Sequence, residues 1–404
     1  MSNLVDALLL QAGYNAALVA IGAALLGIAA GTAGSFLFLR KRALVSDAVA
    51  HATLPGVGLA FIVMVTLLGS DGRNLIGLLA GSAITACIGL ILVEWITRAT
   101  RLSEDAAIGA VLSVFFGFGI VLLTVIQTMS QGRQAGLESF LLGSTAGMLF
   151  QDAVTIAVGG AAVVALVVLI RRPMTLVAFD PQYAAATGIN VSRIDLIMMG
   201  LVMAVTVIGL KLVGLILIVA MLIIPPVTAR FWTDRTTHVI WIAGLVGGAS
   251  SYVGAAISAS APNLPTGPII VLVCFGLFAL SLFFAPGRGV FAAMLRHRRF
   301  QVRVHRRQGL LAIARGEPIF DGFTLAVLSR AGLIRRDGVA TDKGRAQAAK
   351  ALRDEKRWEV ARQLHQDESV AGRYDGLTPI EGVLTKDEID EIDRRLGPPA
   401  EVTA

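Results

Sequence analysis

The sequence is poor in charge for its length. Only 16% of its 404 residues are Asp, Glu, Lys or Arg, whereas 55% are hydrophobic, and the mean hydropathy is +0.73. Apolar runs of about 18 residues or more read as transmembrane helices, so an ordinary soluble protein is excluded. The composition is typical of an all-α polytopic membrane protein.

Several chemical signatures are also missing. The two cysteines, Cys87 and Cys274, both lie in apolar runs, which argues against a disulfide framework or a cysteine metal cluster. The sequence has no G-x-x-x-x-G-K-[ST] phosphate loop, so the chain cannot bind ATP in the usual P-loop way. No Ser, His and Asp arrangement suggests nucleophilic catalysis. We expect neither an enzyme nor a resident cofactor, and we see no removable signal peptide.

Charge is distributed unevenly along the chain. Residues 1–290 contain short basic clusters between apolar runs, whereas residues 291–404 are densely charged. We therefore predict a transmembrane domain over residues 1–290. Residues 291–404 are predicted to form a cytosolic basic linker followed by a small domain.

The apolar runs predict eight or nine transmembrane helices. The nine candidates are residues 15–39, 54–70, 75–97, 106–127, 152–170, 194–210, 212–229, 238–259 and 266–285. With the N-terminus outside, the positive-inside rule requires a basic residue at every second boundary. Arginines meet this requirement at residues 40–42, 98–101, 171–172, 230–235 and from 288 onward. The weakest boundary is the segment 209–214, where only Lys211 separates two apolar runs.

Three features inside this region allow more than one interpretation. Segment 137–150 is too short to span the bilayer and predicts an interfacial or re-entrant element. Pro225 and Pro226 interrupt an apolar run, either as a kink for packing or as part of a transport path. The glycines of residues 22–34 and 244–254 are expected to permit close helix packing rather than gating.

Asp47 and His51 are the residues most typical of a metal site. They are four residues apart, so on a helix their side chains lie on one face. A carboxylate with an imidazole suits zinc, manganese or iron(II), whereas all-oxygen sites favour calcium or magnesium. A local hydrogen bond at a helix start is the alternative. Polar residues of this kind in a bilayer tend to face an aqueous path, which favours the metal interpretation.

The loop that follows Arg172 predicts a short helix. Asp180 can cap it, Pro181 suits its first position, and Gly188 can end it. A helix of two turns at the membrane surface is either an ordinary loop or a docking element for a soluble partner.

Three stretches together resemble the permease subunits of bacterial ABC importers for manganese, zinc and iron. They are residues 34–61 (GSFLFLRKRALVSDAVAHATLPGVGLAF), 179–190 (FDPQYAAATGIN) and 213–230 (VGLILIVAMLIIPPVTAR). The resemblance extends over most of residues 10–286. It implies a bacterial inner-membrane core of two permeases, the second being a copy or a paralogue. It also implies a separate ATPase inside and an extracytoplasmic solute-binding protein that delivers the ion.

The resemblance also assigns roles to individual residues. Asp47 and His51 match the acid and histidine of the family's translocation-path site. The segment 179–190 matches the coupling helix that engages the ATPase. Its residues of interest are Phe179, Asp180, Pro181, Tyr183 and Gly188.

The tail predicts a small α/β winged-helix-like unit. Residues 296–307 form a basic strip of the kind that attracts anionic lipid head groups. After a helical segment, Asp337-Gly338 is typical of a hairpin turn, and residues 342–366 read as a long charged helix.

The tail resembles the C-terminal part of repressors of the diphtheria-toxin-repressor type, in TDKGRAQAAKALRDEKRWEVARQL and LTPIEGVLTKDEIDEIDRRLG. Those repressors follow a glutamate with a histidine ligand, whereas Gly382 follows Glu381 here. Metal sensing through that position is therefore not expected. Arg335 and Arg336 could meet nucleic-acid phosphates. We expect a protein-contact or regulatory role instead, because a module anchored to a bundle reaches DNA poorly.

The leading hypothesis is a permease subunit that moves manganese or zinc, with iron(II) as a further candidate, powered by a separate ATPase. An ion-coupled secondary transporter is one alternative, but it should show carboxylates midway along spans and internal repeats, and we find few such acids and no clear repeat. A membrane-anchored regulator that acts through residues 291–404 is the other.

Overall fold

The computed structural model describes residues 2–69, 74–129, 148–261, 264–335, 337–364 and 376–397. Their regular elements are α-helices, apart from one 3-10 turn and one isolated antiparallel bridge. The chain divides into two compact units, Met1–Val290 and Phe291–Ala404, and each is described by itself.

The described part of the first unit is a bundle of helices. Their bounds are α1 Ser2–Leu8, α2 Tyr14–Leu39, α3 Leu44–Thr66, α4 Leu75–Ala99, α5 Glu104–Thr128, α6 Phe150–Phe179, α7 Pro181–Ala186, α8 Val191–Val213, α9 Leu215–Trp232, α10 Thr236–Ala259 and α11 Thr266–Phe284. Among the described residues, eight helices are long and apolar enough to cross a membrane. The apolar helix α9 has 18 residues and a length of about 27 Å, just under the hydrocarbon thickness of about 30 Å.

Two predicted boundaries were wrong. Helix α3 begins at Leu44, ten residues before the predicted start, so Asp47 and His51 lie within it. The predicted start was too late because Asp47 and His51 lie on one face and do not interrupt the helix. Residues on its other faces, such as Val45 and Ala48, are buried. Helix α6 continues to Phe179 and has 30 residues. At about 45 Å it is longer than the hydrocarbon layer, so its arginine-bearing end extends beyond that layer.

The weak boundary in segment 209–214 is a single residue. Gly214 separates α8 from α9 with a φ of 81°, a left-handed conformation that glycine adopts without a Cβ clash. Most of the predicted re-entrant segment 137–150 lies outside the described residues.

Pro225 and Pro226 do not interrupt their helix as predicted, because α9 continues through both. A proline lacks the N–H that would bond the carbonyl four residues earlier, which for Pro226 is that of Leu222. This oxygen lies against Gly34 of α2, where an added Cβ would be only 2.0 Å from it. The packing interpretation of this pair agrees with the close approach.

The glycines of α2 and α10 permit backbone contact, as expected. A Cβ at Gly27 would lie 2.2 Å from the carbonyl oxygen of Gly247, and the reverse distance is also 2.2 Å. A Cβ at Gly31 would lie 2.2 Å from the oxygen of Ala243. Small residues let membrane helices gain van der Waals contact that bulky ones would prevent. These two helices form the most extensive helix pair of the bundle.

Contacts between helix ends place several basic boundaries at one end of the bundle. The Arg98 side chain near the end of α4 donates to the Ser192 hydroxyl at the start of α8, at 2.7 Å. The Arg42 side chain between α2 and α3 bonds Glu104 at the start of α5, at 2.8 Å. We call this the arginine end. Its composition agrees with the alternation that the positive-inside rule predicts.

The second unit has two apolar cores. Its helices are α12 Val290–Arg315, which begins at the last residue of the first unit, α13 Gly322–Arg330, α14 Asp342–Leu364 and α15 Lys386–Leu396. The first core consists of Leu310, Leu328, Leu333, Ile334 and Ala348. The second consists of Trp358, Ala361, Ile380, Leu384, Ile389 and Ile392.

The predicted α/β winged-helix unit is not supported. The Asp337-Gly338 turn is present, with the Arg335 amide bonding the Val339 oxygen at 2.8 Å. Around it, however, the described residues form only the single bridge between Ile334 and Ala340. Its arms lie between the end of α13 at Arg330 and the start of α14 at Asp342, and the second hydrogen bond across them is from the Thr341 amide to the Leu333 oxygen at 3.0 Å.

Gly247→Ala is expected to destabilise the membrane unit, because the new Cβ would meet the Gly27 backbone and such overpacking costs about 1–3 kcal/mol. Gly276→Ala is the matched control, since a Cβ there meets no atom within 4 Å. Thermal unfolding of the full chain in detergent measures both changes. An unaltered unfolding temperature for Gly247→Ala would contradict the packing described here.

Candidate metal path and docking helix

Helix α3 is the most enclosed of the candidate spans, because 72% of the residues in its most apolar 18-residue stretch are buried. It packs chiefly against α4 and α5. Its accessible residues include Asp47 and His51 near the start of the helix and Leu59 and Val63 near its end, on one i+4 row that the buried Pro55 interrupts. We call these four residues the open stripe. The two polar residues of α3 most suited to metal binding therefore lie on the stripe that the rest of the chain leaves open.

Asp47 and His51 are brought together as predicted. The His51 Nε2 atom is 3.4 Å from the Asp47 Oδ1 atom, and the side chains are 19% and 40% exposed. Two atoms that bind one tetrahedral ion at about 2.1 Å lie about 3.4 Å apart. The pair therefore has the separation that two ligands of a single ion require.

Packing fixes the orientation of the imidazole. The Phe116 ring of α5 meets the His51 ring edge-on, with centroids 5.0 Å apart and an interplanar angle of 84°. The His51 Nδ1 atom is buried and has no hydrogen-bond partner among the described residues. Nε2 is thus the ring nitrogen next to the carboxylate, and the aromatic contact limits rotation of the ring.

A single chain offers an incomplete ligand set. The described residues contain no group of three or more His, Cys, Asp or Glu side chains placed to hold a metal ion. Structural metal sites for zinc use four ligands, and even open sites use three protein ligands. Asp47 and His51 alone therefore suit a transient site, or half of a site that another molecule completes.

The predicted short helix is present as α7. The Asp180 carboxylate accepts from the Tyr183 amide at 2.8 Å, and Pro181 occupies the first turn. Gly188 ends the segment with a φ of 85°, and its amide bonds the Ala185 oxygen at 3.0 Å. The sequence folds this way because a capping carboxylate, a first-turn proline and a left-handed glycine each satisfy one end of a short helix.

Two exposed aromatic side chains lie at this point of the chain, Phe179 at the end of α6 and Tyr183 in α7. Phe179 and Tyr183 are both more than half exposed, whereas Ala184 is fully buried. Exposed aromatic residues on a rigid, anchored helix are typical of protein interfaces. Among the described contacts, these residues do not meet Asp47 or His51.

The sequence analysis missed a buried charge cluster at the arginine end. Asp195 of α8 bonds the Arg40 guanidinium, with Oδ2 2.6 Å from Nη2, and the side chains are 10% and 15% exposed. Arg42 is 3.6 Å from the same carboxylate oxygen and also pairs with Glu104. We interpreted residues 40–42 only as a topology signal. An isolated acid in an apolar run, which Asp195 is, was the available sign of a buried partner.

Comparison with known proteins supports a transport assignment for the membrane unit. The model of the ABC 3 transport family matches residues 14–285. The manganese transport system membrane protein MntC of Bacillus subtilis is 42% identical over 295 residues, which are 73% of this chain and 66% of that protein. The zinc transport system membrane protein TroC of Treponema pallidum is 37% identical, over 70% of this chain and 92% of its own length.

A solved structure has the same fold. The structure of PsaBC from Streptococcus pneumoniae in complex with Fab aligns with a TM-score of 0.61 and 30% identity. The alignment covers 71% of this chain and 97% of the matched chain. The family match ends at residue 285, so the second unit lies beyond it.

Proposed function

The chain belongs to the ABC 3 transport family, and we propose that it is the permease subunit through which an ATP-driven importer moves manganese or zinc into the cell. The observation on which this rests is the Asp47 and His51 pair on the open stripe of α3. Relatives named for manganese and for zinc transport support both ions. Carboxylate and imidazole also suit iron(II), which is a further candidate.

A second permease copy, or a paralogue, completes the path. In a two-fold dimer the same surface of each subunit meets at the axis, so the open stripe of α3 would face its counterpart. Two carboxylates and two imidazoles, with water, then give enough ligands for one divalent ion. Its binding must be weak enough to release, because conduction requires ions to leave as well as enter.

A separate ATPase supplies the work. The chain has no phosphate loop of its own, and the exposed Phe179 at the end of α6 and Tyr183 of α7 offer a contact for a soluble partner at the arginine end. The positive-inside rule favours a cytosolic location of this end, and we expect the C-terminus on the same side. An extracytoplasmic solute-binding protein delivers the ion at the opposite end, where the helices have few charges.

Asp47→Ala and His51→Ala are each expected to reduce metal uptake by at least about tenfold. Removal of an outer-shell partner alone typically costs a metal site about tenfold or more, and these two residues are proposed as ligands themselves. The measurement is the content of manganese, zinc and iron, element by element, in cells that express each variant. Asp105→Ala and His238→Ala are matched controls, because both side chains are exposed at helix starts. Unchanged accumulation of every metal in both test variants would remove this pair from the path.

Tyr183→Ala is expected to weaken binding of the ATPase subunit by about tenfold or more, because exposed aromatic anchors commonly dominate such interfaces. Binding is measured as a dissociation constant between the purified ATPase and the full chain in lipid nanodiscs. Tyr14→Ala is the control, since Tyr14 is equally accessible but begins α2 at the end opposite Arg40. Equal affinity of the Tyr183→Ala and wild-type chains would exclude α7 as the main contact.

The first half of α12 is suited to anionic lipid. Only residues 285–289 separate α11 from α12 in the sequence. Arg299 and Arg303 share one side of this helix, and Phe291 and Leu295 expose an adjacent apolar stripe. Arginines next to apolar residues suit the interface between head groups and acyl chains. The rest of the second unit serves a protein-contact or regulatory role.

Replacement of Arg298, Arg299 and Arg303 by Gln is expected to speed amide exchange of α12 in nanodiscs with phosphatidylglycerol. The change should be at least about fivefold, since one basic residue near an anionic surface contributes about 1 kcal/mol. The control replaces the exposed Lys343, Lys356 and Lys386 by Gln, with the same loss of charge. Equal exchange of the wild-type chain in anionic and in zwitterionic nanodiscs would contradict lipid binding.

A further inference from the structure

The arginine end contains a buried ion-pair cluster that the transport mechanism above does not use. Its members are Arg40, Arg42, Glu104 and Asp195. Arg40 and Asp195 are only 15% and 10% exposed, and charges enclosed to this extent are costly unless they are paired. Apolar packing alone could hold α2, α5 and α8 together, so the ion pairs between them indicate a further role.

The cluster connects both flanks of α7 to the segment that precedes α3. On one flank, the Arg40 side chain donates to the Val177 carbonyl oxygen near the end of α6, at 3.1 Å. On the other, Arg40 pairs with Asp195 in the second turn of α8. Between these points, the Asn190 side chain caps α8 by accepting from the Arg193 amide. Only residues 187–190 separate α7 from α8.

The junction between α2 and α3 is shaped to hold both arginines. Lys41 has a φ of 58°, the left-handed region that glycine usually occupies at a helix end. The Arg42 amide bonds the Leu37 oxygen at 2.9 Å, and the Lys41 amide bonds the Phe38 oxygen at 3.0 Å. This arrangement closes α2 tightly. It brings the Arg40 and Arg42 side chains to the Asp195 carboxylate. It also requires Lys41 to adopt a left-handed backbone conformation, which is unfavourable for a lysine.

The same cluster reaches the two helices that surround the metal-ligand pair. Arg42 lies two residues before the start of α3, whose first turn contains Asp47. Glu104 is the first residue of α5, the helix that places Phe116 against His51. A displacement of α8 at Asp195 would therefore move the flanks of both Asp47 and His51, because packed helices transmit displacement with little compression.

We propose that Asp195, held by Arg40 and Arg42, is a positioning residue that transmits movement of residues 179–190 to the Asp47 and His51 pair. The inference rests on the proposed permease function, because it assigns a mechanical role within that transport cycle. Asp195 does not contact the ion. It links the docking helix to the ligand-bearing helices.

The test uses the full chain, reconstituted in proteoliposomes with its ATPase and its solute-binding protein, and measures manganese or zinc taken up per ATP hydrolysed. Asp195→Asn is expected to lower this ratio about tenfold, within the range usual for coupling between sites, while the assembled complex still hydrolyses ATP. Asp195→Glu, which keeps the charge, should recover most of the ratio. Arg40→Gln combined with Asp195→Asn should be no worse than Asp195→Asn alone, because both changes remove one link.

Asp234→Asn is the matched control. Asp234 pairs with Arg230 and Arg288 but contacts neither α3 nor α8, so its loss should leave the ratio unchanged. A purely structural role of Asp195 would lower uptake and ATP hydrolysis together and leave their ratio intact. That result, or equal drops for Asp195→Asn and Asp234→Asn, would overturn the proposal.

Three further outcomes are distinguishable. If Asp195→Asn does not assemble, Arg42→Gln tests the same link at a more exposed position, 24% accessible, and a wild-type ratio there also overturns the proposal. If the wild-type complex itself shows no ATP-dependent metal uptake, the permease assignment fails. If the wild type transports metal and Asp195→Asn does so with the same ratio, only the positioning role fails.

Discussion

The free-energy cost of placing unpaired polar groups in lipid determines the arrangement of the membrane unit. The bilayer core offers no water to hydrogen-bond backbone groups, so its spanning segments are helices that satisfy these groups internally. Charged side chains are then tolerated only where they pair or face water. Two examples in the membrane unit are the open stripe of α3 and the cluster around Asp195.

Close packing of small residues provides the rigid frame in which these two places are held. Helices α2 and α10 approach until glycine backbones touch, and Gly34 admits the Leu222 oxygen left without an internal partner by Pro226. In lipid, such van der Waals contact replaces the hydrophobic effect as the force between helices. A frame of this kind can move one helix end when another is pushed, and both the transport proposal and the role of Asp195 require this property.

The polar residues of the proposed transport mechanism follow one another in space. Helix α7 lies at the arginine end, Asp195 follows it on α8, and Arg42 precedes the helix that contains Asp47 and His51. The proposed docking surface, link and ion ligands are therefore joined by contacts in the structure, although Asp47 and Asp195 are 148 positions apart in the sequence. The tail has its own two cores, and the family match does not include it.

Local patterns in the sequence determined the spans, the capped helix α7 and the helical spacing of Asp47 and His51, because each depends on residues within a few turns. The family also followed from these stretches. Only the tertiary structure decided that Pro226 packs against Gly34, that Arg40 and Asp195 form a pair, and that the expected wing is a single bridge. These features depend on contacts between distant segments, and helical periodicity contains no information about which faces will meet.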